Sequence, residues 1–271
     1  MLSRIEFIEY LTDAWLETPK HNYAVPKKSK DNGNLDGGSL FEVSSLKECL
    51  TNYTWMGSNY SKTHSDLNTL ETKIKTAMIE GDEDSTYDTI IEIYKWGNVQ
   101  FNSTISGSWL SEQASKSKVI EKLQDCIDII EDSKDFSRFD GKDLIMNSGF
   151  TKAVSLASRK DKPLIIFDGR VGAALGHLAI RAKRKHGYDS ISPELIYPWG
   201  QSRSSLTPNP RNPSADNIRF PRLFGANSHS KHARAMQNGS SIVREVSANL
   251  GISPRDLEAA LFMWGYDVRN S

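Results

Sequence analysis

The chain has 271 residues, of which 38% are apolar and 25% charged, the balance of a globular protein with room for one large domain or two modest ones. That composition excludes disorder and fibrous repeats. No uncharged stretch is apolar enough to cross a bilayer, and MLSRIEFIEY lacks the apolar core and small-residue cleavage site of a secretory signal. A cytoplasmic protein, with no membrane role and acting as a monomer, is expected. Cys49 and Cys126 belong to no CxxC pair or Cys/His cluster, so they read as core thiols, and neither a metal nor another cofactor is expected.

The net charge of zero hides an uneven distribution. Residues 1–149 hold 16 Lys+Arg against 25 Asp+Glu, whereas residues 150–271 hold 18 against 9. A basic half of this kind suits a polyanion, attracted through neutralised phosphates and released counterions. The competing reading is a basic face that docks on the acidic half of the same chain.

Taken in order, Ser3–Glu17 reads as a helix, with Ser3 and Glu6 at capping-box spacing and Ile5, Ile8, Leu11 and Trp15 on one face. Residues 19–40, rich in Pro, Gly, Asn and Lys, read as an exposed loop. Helical periodicity follows at 45–55, 65–80, 85–96 and 112–131, and no region reads as a long alternating strand. Further helices are expected at 151–158, from Asp168 to about 186, and at 229–238, 240–250 and 254–265. Six of the ten prolines lie between Pro193 and Pro221, marking a long irregular segment. The fold class is therefore mainly α with long irregular loops, divided into an N-terminal helical region, 1–84, and a helical core, 85–271. Tryptophan–glycine pairs recur at 96–97, 199–200 and 264–265 without regular spacing.

The stretch richest in chemistry is 147–181, NSGFTKAVSLASRKDKPLIIFDGRVGAALGHLAIR. Asp168 stands where an N-cap would, between an apolar run and a long helix, so its carboxylate faces the positive helix end. Lys152 lies upstream on a helix after a turn, and Arg170 two residues downstream. The pair His229 and His232 lacks a carboxylate companion and reads as part of a basic helix face. Gly172 and Gly176 read as a close-packing face.

In these residues the chain resembles the helix-hairpin-helix DNA glycosylase superfamily, in particular the 8-oxoguanine glycosylase branch. Gly149-Phe150-Thr151-Lys152-Ala153-Val154 looks like its hairpin and lysine helix, within 144–158. Ile165-Ile166-Phe167-Asp168-Gly169-Arg170-Val171 looks like the segment that delivers its catalytic aspartate, opening a helix over 168–186. The hairpin departs from the family in having one glycine where Gly-x-Gly is usual, and 16 residues is a short separation between Lys152 and Asp168.

The resemblance implies a helix-hairpin-helix glycosylase-like fold and an enzyme that binds double-stranded DNA, flips out a damaged or modified base and cleaves its N-glycosidic bond. Asp168 would stabilise the oxocarbenium-like transition state. Lys152 would attack C1′ as the neutral amine, or, if it serves otherwise, water would be the nucleophile and an abasic site the product. Gly149, Thr151 and Arg170 would contact the DNA backbone. Gln100 and Asn102 would lie in the loop that fills the gap in the base stack, and Trp199, Phe262 and Trp264 would line the base pocket. Bacterial relatives acting against phages with modified cytosine give one expected setting, and the long segment 187–228 suits a bulky base. A non-catalytic DNA-binding module and a helical scaffold stay open as alternatives.

Overall fold

The computed structural model describes residues 1–28, 35–101, 104–141, 143–202, 207–223 and 228–269, with side chains at all of these except 26–28 and 35–38. Among the described residues the chain is mainly α, 59% helix and 7% strand, with eleven helices. It divides into two compact units that interleave in sequence instead of meeting near residue 84. The first comprises Met1–Tyr60, Asp168–Leu223 and Ser241–Ser271, the second Ser61–Phe167 and Phe224–Ser240.

In the first unit α1, Arg4–Leu16, carries the expected capping box: Ser3 Oγ accepts from the Glu6 amide, and Glu6 accepts in return from the Ser3 amide at 2.9 Å. The segment expected as a loop is instead an antiparallel hairpin, β1 His21–Lys28 and β2 Leu35–Val43. His21, Tyr23 and Val43 face the core while Leu40 and Glu42 face out, a period of two that the flanking Lys, Gly and Pro obscure in the sequence. Pro26, which has no amide to donate, falls where the register shifts between Val25 and Lys27. After the short α2, Leu46–Thr51, the unit resumes with α9, Gly169–Lys185.

Helix α9 is buried along almost its whole length, which its small residues Gly172, Ala173, Ala174, Gly176, Ala179 and Ala182 permit. Gly176 fits under Pro213 and Phe220 of the long segment, so the small-residue face serves a loop. The basic end of α9 is answered within the unit. Arg181 donates to the carbonyls of Pro19 and Lys20, Arg184 to Asp216 at 2.8 Å, and Lys185 pairs with Asp13. These contacts absorb part of the positive charge that the composition offered to a polyanion. The unit closes with α11, Pro254–Trp264.

The second unit holds α3 Tyr60–Glu80, α4 Glu83–Trp96, α5 Ile105–Ser115, α6 Val119–Asp132, the single turn α7 Ser137–Asp140 and α8 Phe150–Ala157. The expected helix 112–131 is in fact two. The break comes at Ser117, whose φ is +50°, and Glu83 caps the restart by accepting from the amides of Val119 and Ile120. Conversely, the two helices expected at 229–238 and 240–250 are one, α10, His229–Leu250. Gly239 does not interrupt it, because the missing side chain leaves room for the Phe167 ring. Among the described residues no helix is long and apolar enough to cross a membrane.

Candidate active site

Asp168 is the N-cap of α9. Its Oδ1 accepts from the amides of Arg170 at 2.8 Å and Val171 at 3.1 Å, and its Oδ2 lies 3.5 Å from Arg170 Nε. Helix-end amides and a guanidinium thus fix a carboxylate whose side chain is 16% exposed. Arg170 is held as firmly. Its guanidinium carbon sits 4.0 Å from the centre of the Phe262 ring, 4.8 Å from Tyr266 and 5.0 Å from Trp55, and Nη1 donates to Tyr266 Oη at 2.9 Å.

Arg211, from the long segment, approaches the same group, 6.0 Å from the Tyr266 ring centre. Burial, then the charge of Arg170, pulls its pKa down to about 10, against the opposing pull of Asp168. Tyr266 is pushed above the ordinary phenol value by burial, with both arginines opposing that shift. Among the described residues, two guanidiniums and one carboxylate give this cluster one excess positive charge.

Two of the three tryptophan–glycine pairs build this corner. A Cβ on Gly265 would lie 2.0 Å from the Arg170 carbonyl oxygen, and one on Gly169 2.3 Å from Gly200 Cα. Gly200 donates its amide to the Gly169 carbonyl at 3.1 Å. The first turn of α9 is therefore pressed between residues 199–200 and the end of α11, at distances that only glycine allows.

The tryptophans themselves face inward. Trp264 has no exposed surface; its indole donates to His177 Nδ1 at 2.9 Å and stacks on His21, whose ring centre is 4.0 Å away, while its carbonyl accepts from His21 Nε2. It belongs to the core and not to a base pocket. Both histidines are neutral: burial pulls His21 down to about 4 and His177 well below its ordinary value. Trp199 is likewise buried, its indole donating to the Phe220 carbonyl at 3.0 Å. Of the three aromatics expected in a pocket, only Phe262 stands beside Asp168 and Arg170.

In the second unit, Lys152 is buried on α8 and its Nζ donates to the Ser148 carbonyl at 2.8 Å. The third tryptophan–glycine pair makes room for it, since a Cβ on Gly97 would come within 2.7 Å of Lys152 Cδ and Cε. The hairpin turn is closed on itself. Asn147 Oδ1 accepts from the amides of Gly149 and Phe150, and the Asn147 carbonyl from that of Thr151. Thr151 is fully buried, with its hydroxyl donating to the Ser148 carbonyl. Gly149 and Thr151 accordingly present nothing to a phosphate here: the side chain of Asn147 occupies the donors that two hairpin glycines would turn outward.

Gln100 is exposed in the loop after α4, and Asn102 lies outside the described residues. His229 and His232 are structural, each ring bonded to a backbone carbonyl, of Met146 and Phe167 respectively. Cys49 and Cys126 are free and buried, with burial pushing both thiols up.

Comparison with protein-family models, curated proteins and solved structures finds no match to this chain. The geometry also assembles residues that carry no chemical signal in the sequence: Arg211, Tyr266 and Trp55. Each is brought to Arg170 by tertiary packing, and no local pattern marks any of them.

Proposed function

We propose that the protein is a DNA glycosylase that cleaves the N-glycosidic bond of a damaged or modified base, with Asp168 as the group that stabilises the developing positive charge on the sugar. The observation that carries this reading is the fixing of Asp168: a partly exposed carboxylate locked by two helix amides and flanked by a caged arginine. A preorganised charge at the rim of a mostly dry cluster needs no reorganisation when the transition state forms, the condition under which one charge gives a large rate effect.

Lys152 fits a reaction in which water is the nucleophile. A lysine must be neutral and unengaged to attack C1′, and the Lys152 Nζ is committed to the Ser148 carbonyl at 2.8 Å. The product would then be an intact abasic site. In a setting of defence against phages, the target would be a modified cytosine.

The test is a screen of purified protein against duplexes containing different damaged and modified bases, hydroxymethyl- and glucosyl-cytosine among them, scored for released base and alkali-labile sites. Release from at least one duplex supports the reading, and release from none removes it. A second reading, a non-catalytic DNA-binding module, draws on the sufficiency of the capping role for Asp168. Under that reading Asp168→Asn binds DNA at least as well as the native protein, and no duplex loses a base.

A further inference from the structure

Arg211 is the least satisfied charged side chain of the Asp168 corner. Among the described residues its buried Nε has no hydrogen-bond acceptor, and neither has the buried Nε of Arg170, which pairs with Asp168 at 3.5 Å without a hydrogen bond. A buried guanidinium N–H left without an acceptor is costly, and such donors mark places where a ligand supplies the acceptor.

The position of Arg211 is also built. Asn209 Oδ1 accepts from the amides of Ser202 and Arg211, Asn209 Nδ2 donates to the Ser202 carbonyl, and the Pro210 carbonyl accepts from Val268 at 2.7 Å. Pro213, two residues on, is seated against Gly176 of α9. The backbone that carries Arg211 is thus tied at three places to its own unit, and Arg170 is immobilised by its aromatic cage.

Charge identifies the missing partner. Among the described residues the corner carries Arg170, Arg211 and Asp168, one positive charge in excess, which one singly charged oxyanion neutralises. Guanidinium N–H groups match a planar pair of phosphate oxygens. We infer that Arg211 and Arg170 together form a subsite for one phosphodiester group of a DNA strand, beside Asp168. The inference rests on DNA being the substrate and goes beyond it by assigning Arg211, and with it the proline-rich segment, a direct contact. A phosphodiester seated there balances the charge of the corner and holds the strand next to the carboxylate.

The experiment follows the arginine Nε–H signals in nitrogen–proton correlation spectra of the full chain. The signals are assigned by their loss in Arg211→Lys and Arg170→Lys. The additions are dimethyl phosphate, inorganic phosphate, a short duplex, and sodium chloride at matched ionic strength. The expected result is that dimethyl phosphate and the duplex move both signals while chloride moves neither. Arg211→Gln, checked for native melting, should bind the duplex about tenfold or more weakly, with a salt dependence lowered by about one phosphate. Should Arg211→Gln fail to fold, Arg211→Lys, which keeps the charge but not the fork, should bind the duplex more weakly with the salt dependence unchanged.

An Arg211 signal that ignores the duplex overturns the inference, and so does a response to inorganic phosphate alone, which would mark a site for the free ion. Base release measured in the same samples separates the two proposals. Moved signals without base release from any duplex leave the subsite standing and remove the glycosylase reading. Base release with an unmoved Arg211 signal does the reverse.

Discussion

Replacing Gly265 by alanine tests whether the first turn of α9 is held by contact with the end of α11. The backbone at Gly265 has φ −79°, open to any residue, so the substitution introduces no conformational strain. Its Cβ would stand 2.0 Å from the Arg170 carbonyl oxygen and 2.6 Å from the carbonyl carbon, well inside van der Waals contact, and backbone cannot swing aside as a side-chain tip can. Relief requires the α9 turn or the end of α11 to move by an ångström or more. Overpacking of this kind costs about 1–3 kcal/mol, and the backbone clash puts Gly265→Ala at the upper end, about 3 kcal/mol, or roughly 6–12 °C in melting temperature for a chain of this size.

Urea unfolding gives the free energy directly, and Gly187 supplies the control. At Gly187 φ is +69° and nothing lies within 4 Å of a Cβ, so Gly187→Ala loses about 1 kcal/mol through conformation alone, and Gly187→Asn recovers part of it. Gly265→Asn should recover nothing. A Gly265→Ala protein as stable as the native one would refute the contact and, with it, the account of how Asp168 is positioned.

Gly97→Ala meets the flexible stem of Lys152 at 2.7 Å and the Ile93 carbonyl oxygen only at 3.3 Å, so it should cost clearly less than Gly265→Ala, about 1 kcal/mol in the same urea experiment. Lys152→Gln should leave no borohydride-trapped adduct to lose and should lower base release only modestly; a trapped adduct in the native protein that vanishes in this variant would make Lys152 the nucleophile. The buried His21 and His177 have folded pKa values below that of the unfolded chain, so the unfolded state takes up protons first. Their contribution to stability is complete above about pH 6.5 and is lost as pH falls below it, for His21 toward pH 4, by up to about 1.4 kcal/mol per pH unit. His21→Phe should flatten the dependence of urea midpoints on pH between 7 and 5, and an unchanged slope would contradict the assignment. Trp264→Phe removes the donor to His177 Nδ1 and leaves a void, for a loss of about 3 kcal/mol by urea unfolding.

The sequence made the helices and the Asp168 cap legible because both rest on local rules: a 3.6-residue apolar period and a carboxylate ahead of a helical run. It concealed the β1–β2 hairpin because alternation there is short and flanked by turn-forming residues. It misplaced breaks for a related reason. Ser117, an ordinary residue in a left-handed conformation, ends α5, whereas Gly239 continues α10 because the Phe167 ring fills the space beside it. The tryptophan–glycine pairs were visible as a pattern, but their purpose is tertiary, since each glycine gives way to a different neighbour. Trp264 looked like a pocket aromatic and is core because His177 and His21 satisfy it from other elements. Arg211, 41 residues from Arg170 in the chain, could be joined to Asp168 only by the folded structure.

The most direct test of the account is the rate of base release by Asp168→Asn on a duplex the native protein cleaves. Asparagine caps helices about as well as aspartate, so Oδ1 keeps its two backbone amides and only the charge is lost. The melting temperature should fall by no more than about 8 °C, since a partly buried helix-end charge contributes up to about 2 kcal/mol. The single-turnover rate should fall by about a hundredfold to a thousandfold, the effect of removing one preorganised stabilising group. An Asp168→Asn protein that is folded, binds DNA and releases base at the native rate would show that Asp168 serves only as a helix cap.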